Sequence, residues 1–126
     1  LSLAKKFDKP VFVLADKFRI RQVVVNLVTN SIKYGKEGGE TEINFSLYND
    51  EVIVEIKDNG IGISPEHLPR LFERFYRVDK GRSREQGGTG LGLAIVKHII
   101  EAHQKSISVK SVVNEGTVFT FTLSRV

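Results

Sequence analysis

Apolar residues recur along this chain with two different periods, and the switches between them divide it into elements. "VFVL" (11–14) is an unbroken apolar run that predicts a short buried strand, and Asp16 just after it suits a helix N-cap. Over residues 17–34 the spacing becomes helical. At 100° per residue Ile20, Val23, Val24, Leu27 and Ser31 share one broad face, and Gln22, Asn26, Asn30 and Lys33 form a narrow polar stripe beside it. "GKEGGE" (35–40) reads as a loop. "EINFSLY" (42–48) and "EVIVEIK" (51–57) alternate with period two, and Asn49-Asp50 between them predicts a hairpin. "DNGIGI" (58–63) breaks off the second of these strands. Ser64-Pro65 then reads as a helix start, with Leu68, Leu71, Phe72 and Phe75 carried on that helix. Residues 79–88, "DKGRSREQGG", have no period and are expected to form a mobile loop. "LGLAIVKHIIEAH" (91–103) predicts a buried helix, and the strands "SISVKSV" (106–112) and "TVFTFTL" (117–123) meet at the turn "NEG" (114–116).

The resulting order, β-α-β-β-α-loop-α-β-β, belongs to the α+β class. Two hairpins and three helices predict a two-layer α/β sandwich, with a mixed, mostly antiparallel sheet and its helices on one face. A length of 126 residues suits one domain, taken as 1–126. No run approaches the roughly 18 apolar residues of a membrane span, and "LSLAKKFDKP" is no signal peptide. Cysteine is absent, which removes disulfides and thiolate metal sites; methionine is absent too, so the chain is expected to be a fragment of a larger protein. The net charge of +4 gathers in part at Arg74, Arg77, Lys80, Arg82 and Arg84. That cluster suits an anionic ligand, a nucleic acid or a merely solvated loop.

Three stretches carry candidate chemistry. "GGTGLGLAIVK" (87–97) places four glycines at a helix entrance, where each glycine in the interior costs roughly 1 kcal/mol relative to alanine. An anion held against backbone N–H groups would explain that choice. Asn26 and Asn30, four apart and followed by Lys33 and Tyr34, are either a solvated or capping stripe or an oxygen-lined seat for a hard cation such as Mg²⁺ with its phosphates. Asp58 in "DNGIGI" is either a turn residue or an acceptor for a ligand N–H such as an adenine amino group, with Gly60 and Gly62 letting a flat ring approach. Neither a Gly-Lys-Ser/Thr phosphate loop nor a GxGxxG following a strand is present.

In this order and spacing the stretches resemble the ATP-binding domain of sensor histidine kinases, in the superfamily shared with gyrase, heat-shock chaperone ATPases and mismatch-repair ATPases. "DKFRIRQVVVNLVTNSIKYG" is similar to the asparagine box, "DNGIGI" to the first glycine box, "LFERFYRVD" to the phenylalanine box and "GGTGLGLAIVK" to the second glycine box. "NEGTVFTFTL" resembles the closing hairpin. The resemblance runs from about residue 10 to the end. It implies that Asn30 is the Mg²⁺ ligand, that Asn26 and Lys33 contact phosphate, and that Tyr34 packs near adenine. It further implies that Asp58 reads the adenine amino group and that Arg77 reaches the terminal phosphate. Gly60, Gly62 and Ile63 of the first glycine box, and Gly88, Thr89, Gly90, Leu91, Gly92 and Leu93 of the second, would lie at the nucleotide. Residues 79–88 would form a lid, anchored to the core by Phe72 and Phe75. Two departures stand out: Ser31 replaces the usual Ala or Gly, and "EAHQKSI" replaces the usual His-Gly-Gly before the penultimate strand.

Hydrolysing members of the superfamily carry a Glu at the position of Asn26. An amide cannot take a proton, so water attack should be poor and the kinase branch is favoured. The histidines read "EHLPR", "KHIIE" and "AHQKS", none in a phosphoacceptor context. The resemblance therefore implies a domain that binds ATP and Mg²⁺ for a histidine on a separate dimerisation/phosphoacceptor domain, with a response regulator downstream. Arg77 and Asn30 would carry the catalytic roles. The fragment alone is expected to be a monomer, not to autophosphorylate, and to touch neither membrane nor nucleic acid, since Glu73, Asp79 and Glu85 interrupt the basic cluster. A cytoplasmic location is expected, whether or not the parent is anchored in the inner membrane.

Overall fold

The computed structural model describes residues 2–4, 10–76 and 92–126. Strands β1 (Ser2–Ala4), β2 (Val13–Leu14), β3 (Thr41–Tyr48), β4 (Glu51–Asp58), β5 (Ile107–Val112) and β6 (Gly116–Arg125) form one sheet. Helices α1 (Lys17–Lys33) and α2 (Gly92–Ala102) lie side by side, α1 against β3 and β4 and α2 against β5. β1 runs parallel to β3 and every other pairing is antiparallel. The expected two-layer sandwich with a mixed sheet is therefore what the chain forms.

Strand alternation sorts the side chains. Val52, Val54 and Ile56 of β4 and Phe119, Phe121 and Leu123 of β6 point into the core, where Val23 and Leu27 of α1 and Val96, Ile99 and Ile100 of α2 meet them. Burying each such side chain contributes about 1.5–3 kcal/mol. β6 is the hub: β4 pairs along one edge, and β5 and the short β2 share the other. Helix α1 begins where Asp16 accepts from the backbone N–H groups of Phe18 and Arg19, the N-cap expected from the sequence.

Three expectations need correction. "VFVL" is not a fully buried strand: only Val13–Leu14 pairs, Val11 and Val13 pack inward, and Phe12 and Leu14 face outward, as an edge strand allows. The helix after Ser64 is a single stretch of 3₁₀ over Pro65–Arg70, and Ser64 makes no side-chain cap. Pro69 lacks an N–H and its ring would clash with the carbonyl four residues back, so an α-helix cannot run through it. The chain continues through turns instead, and Phe75 sits there with φ 64° and 69% of its surface exposed. Phe72 does reach the core, edge-on to Phe119 with ring centroids 6.1 Å apart. Phe75 does not pack into that core. It lines a cleft of about 500 Å³ with Arg19, Gln22, Ile95 and His98. Strand β1 was not expected, because three residues are too short to show a period.

Candidate functional site

The inward parity of β4, Val52-Val54-Ile56, ends on Asp58, so the alternation that builds the core also delivers a carboxylate to its rim. Asp58 is 6% exposed. A carboxylate there must be hydrogen-bonded to persist. Its Oδ1 accepts from the Gly60 N–H at 2.9 Å. Burial pushes the carboxyl above its ordinary range, while the Gly60 and Thr117 backbone N–H groups and the Ser31 side chain pull the other way.

Around Asp58 lies a set of small hydroxyl side chains on core-facing positions. Ser31 of α1 bonds Thr41 of β3 at 2.6 Å, and Asp58 pairs in register with Thr41 on one side and Thr117 on the other. Thr117 bonds Ser111 of β5 at 2.7 Å, and Ser111 accepts from the Ile63 N–H and donates to the Gly116 carbonyl. At 1% exposure Ser31 is the helix residue that meets the strand ends. Sequence reading missed Thr41, Ser111 and Thr117. Their signal was a hydroxyl at the inward parity of three strands.

The first glycine box is shaped by backbone approach. A Cβ on Gly60 would lie 2.5 Å from the Tyr34 carbonyl oxygen, so the loop rests directly on the end of α1. The Ile61 N–H donates to that same carbonyl. Gly62 has φ 74° and a Cβ there would meet the Val112 carbonyl at 2.3 Å. These two glycines therefore serve chain packing, in addition to whatever space they leave for a ligand ring. Ile63 is buried in the core.

On α1, Asn26, Asn30, Lys33 and Tyr34 are all half-buried, with the Lys33 ammonium 5.4 Å from the centroid of the Tyr34 ring. The Asn26 Nδ2 donates to the Gly92 carbonyl at 3.4 Å, which ties the polar stripe to the first residue of α2. Leu93 packs against the core. The structure thus brings Asn26 to Gly92 and the Tyr34 end of α1 to Gly60 and Asp58. Arg77, Gly88, Thr89, Gly90 and Leu91 lie outside the described residues, as does the whole 79–88 loop. Among the described residues no three His, Cys, Asp or Glu side chains gather into a metal-binding cluster. The hard-oxygen donors of the stripe are the half-buried amides of Asn26 and Asn30, which would suit an ion such as Mg²⁺ that takes few protein ligands and completes its shell with phosphate and water.

Residues 15–126 match the family described as histidine kinase-, DNA gyrase B- and HSP90-like ATPase. The chain is 42% identical over 118 residues to sensor histidine kinase WalK of Bacillus subtilis (strain 168), covering 92% of this chain and 19% of that protein. It is 48% identical over 110 residues to sensor protein SrrB of Staphylococcus aureus (strain NCTC 8325 / PS 47), covering 87% and 19%. It therefore spans about a fifth of the length of these relatives. Among solved structures, the mycobacterial sensor histidine kinase MprB superposes with a TM-score of 0.81 at 30% identity, covering 92% of this chain and 78% of that one. The catalytic domain of histidine kinase ThkA does so at 0.76 and 34%, covering 90% and 70%. With the sequence match spanning nearly its whole length and the fold shared, the chain belongs to the histidine kinase-, DNA gyrase B- and HSP90-like ATPase family and is a domain of the sensor histidine kinase kind.

Proposed function

We propose that residues 1–126 form a catalytic domain that binds Mg·ATP and presents the γ-phosphoryl group to a histidine on a separate dimerisation/phosphoacceptor domain of the same parent, from which a response regulator is then charged. The observation that carries this reading is Asp58: a buried carboxylate at a strand end, beside a glycine loop and the Tyr34 end of α1, which can accept the adenine amino N–H. Asn26 and Lys33 would hold phosphate oxygens, and Asn30 would hold the metal. Bound Mg²⁺ would supply charge neutralisation at the phosphates. Gly88, Thr89, Gly90 and Arg77 would complete the phosphate contacts, Arg77 matching the developing charge on the transferred group.

Two of the chain's own histidines are engaged within the fold. His103 is bonded through both ring nitrogens and His67 to the Tyr76 hydroxyl. His98 is exposed on α2. No described helix is long and apolar enough to cross a membrane. The domain alone should be a monomer in the cytoplasm that binds ATP without labelling itself.

Calorimetric titration with ATP, with and without Mg²⁺, tests the binding. Asn30→Ala should keep the fold and lose the Mg²⁺-dependent part of the affinity. Incubation with γ-labelled ATP, alone and then with the parent's acceptor domain, tests the transfer. Label should appear only on the acceptor domain's histidine, and slowly, because separated domains lose the effective concentration of a linked pair. Brisk phosphate release by the domain alone, or label on His67, His98 or His103, contradicts the proposal.

A further inference from the structure

His103, directly after α2, joins that helix to the start of α1. Its Nδ1 lies 2.8 Å from the Ile99 carbonyl oxygen, and its Nε2 lies 3.0 Å from the backbone nitrogen of Asp16. A carbonyl can only accept and a backbone N–H can only donate. The ring must therefore be neutral, with its hydrogen on Nδ1 and a lone pair on Nε2. A second ring proton would set Nε2–H against the Asp16 N–H and break that bond.

The position matters because α1 and α2 pack along each other with a tie at each end. One is Asp16 to His103; the other is Asn26 to Gly92. The ties enclose 26 − 16 = 10 residue steps of α1 and 103 − 92 = 11 of α2, about 15 Å of helix pairing. The second tie is made by the polar stripe and the glycine box. Both ties sit on the one helix α2, whose Val96, Ile99 and Ile100 are packed into the core between them.

We propose that His103 is a positioning residue: its neutral Nδ1–H form clamps α2 to α1, and protonation opens the clamp and weakens nucleotide binding at the far end. The consequence for nucleotide rests on the ATP-binding function proposed above. The charged and titratable groups on the elements that meet here are the N-cap Asp16, Lys17 and Arg19 of α1, Lys97, His98 and Glu101 of α2, and Lys105 beyond it. Glu51 of β4 holds Lys105 in an ion pair. The Asp16 carboxylate is committed to the N–H groups of Phe18 and Arg19, so it does not turn to the ring without uncapping α1.

Nitrogen-resolved NMR of the imidazole should find the Nδ1–H tautomer in the nucleotide-free chain. Hydrogen exchange at the Asp16 amide, corrected for intrinsic rates, should speed up about fivefold on acidification, the equivalent of one lost hydrogen bond of about 1 kcal/mol. ATP affinity should fall by a similar factor. His103→Gln, whose amide oxygen can accept in place of Nε2 and does not titrate, should keep Asp16 protected and flatten both profiles. His103→Leu should expose the Asp16 amide at every pH; if that variant does not fold, the wild-type tautomer and the glutamine profile still decide. An Nε2–H tautomer, or a glutamine variant with the wild-type pH profile, overturns the clamp. A wild type that binds no ATP at any pH refutes the nucleotide reading instead, while Asp16 exchange still judges the clamp.

Discussion

Asp58 shows how one residue can be both a liability and a tool. Its carboxyl is held above the ordinary value of 3.8 by burial, so the folded chain keeps that proton more tightly than the unfolded chain does. The contribution to stability is therefore fully present below the ordinary value and fades as pH rises through the folded one. Asp58→Asn should remove that part of the pH dependence, read as a flatter curve of denaturation midpoint against pH in the acid range. In its ionised form Asp58 would present a full charge to a ligand N–H. Asp58→Ala should weaken ATP by roughly ten- to a hundredfold, the equivalent of a charge-assisted hydrogen bond of ~1.5–3 kcal/mol, and should narrow the preference over GTP. Titration of both nucleotides checks this, and an unchanged preference would reduce Asp58 to a turn residue. The motif around Asp58 was legible in the sequence because a carboxylate followed by two glycines is a local pattern. Its partners Ser31, Thr41 and Thr117 were not, since they come from three separate elements.

At the scale of elements, the end of α2 departs most from the family's usual composition. Gln104 stands with φ 61°, its N–H donating to the Glu101 carbonyl while the Lys105 N–H donates to the Ile100 carbonyl. This is the Schellman arrangement, in which the left-handed position normally belongs to glycine. Gln104 and Lys105 thus follow His103 where the resemblance implies two glycines, and Gln104 takes the left-handed position itself. Gln104→Gly should relieve the side chain's strain and raise stability by about 0.5–1 kcal/mol, less the entropy that glycine adds to the unfolded chain. Denaturant midpoints would show it, and a lower midpoint would mean that the entropy term dominates. The 3₁₀ stretch over Pro65–Arg70 teaches the converse. Apolar spacing there suggested a longer helix, and one backbone constraint at Pro69 outweighed it.

For the whole molecule, the hub strand β6 decides whether sheet and helices cohere. Phe119 is fully buried, pairs opposite Ile56 of β4 and Val109 of β5, and takes the edge of Phe72. Phe119→Ala should cost about 3–5 kcal/mol, a large share of the 5–15 kcal/mol available to a domain. Urea unfolding should register that loss, and nucleotide affinity should fall with it, because Thr117 beside Asp58 lies two residues away on the same strand. The elements and the site's vocabulary can be read along the chain: period two for the four long strands, period 3.6 for α1 and α2, the Asp16 cap, and the boxes that carry Asn26, Asn30, Asp58 and the glycines. These are properties of neighbours along the chain, which local sterics and hydrophobic periodicity express directly. Packing of the layers, by contrast, settled that β1 joins the sheet, that Phe75 faces outward, and that Ser31 meets Thr41. It alone set Gly60 against the Tyr34 carbonyl and Asp16 against His103. Those pairings join residues between 10 and 87 positions apart. No local pattern encodes them, because they follow from how the packed layers bring distant backbone atoms within hydrogen-bonding reach.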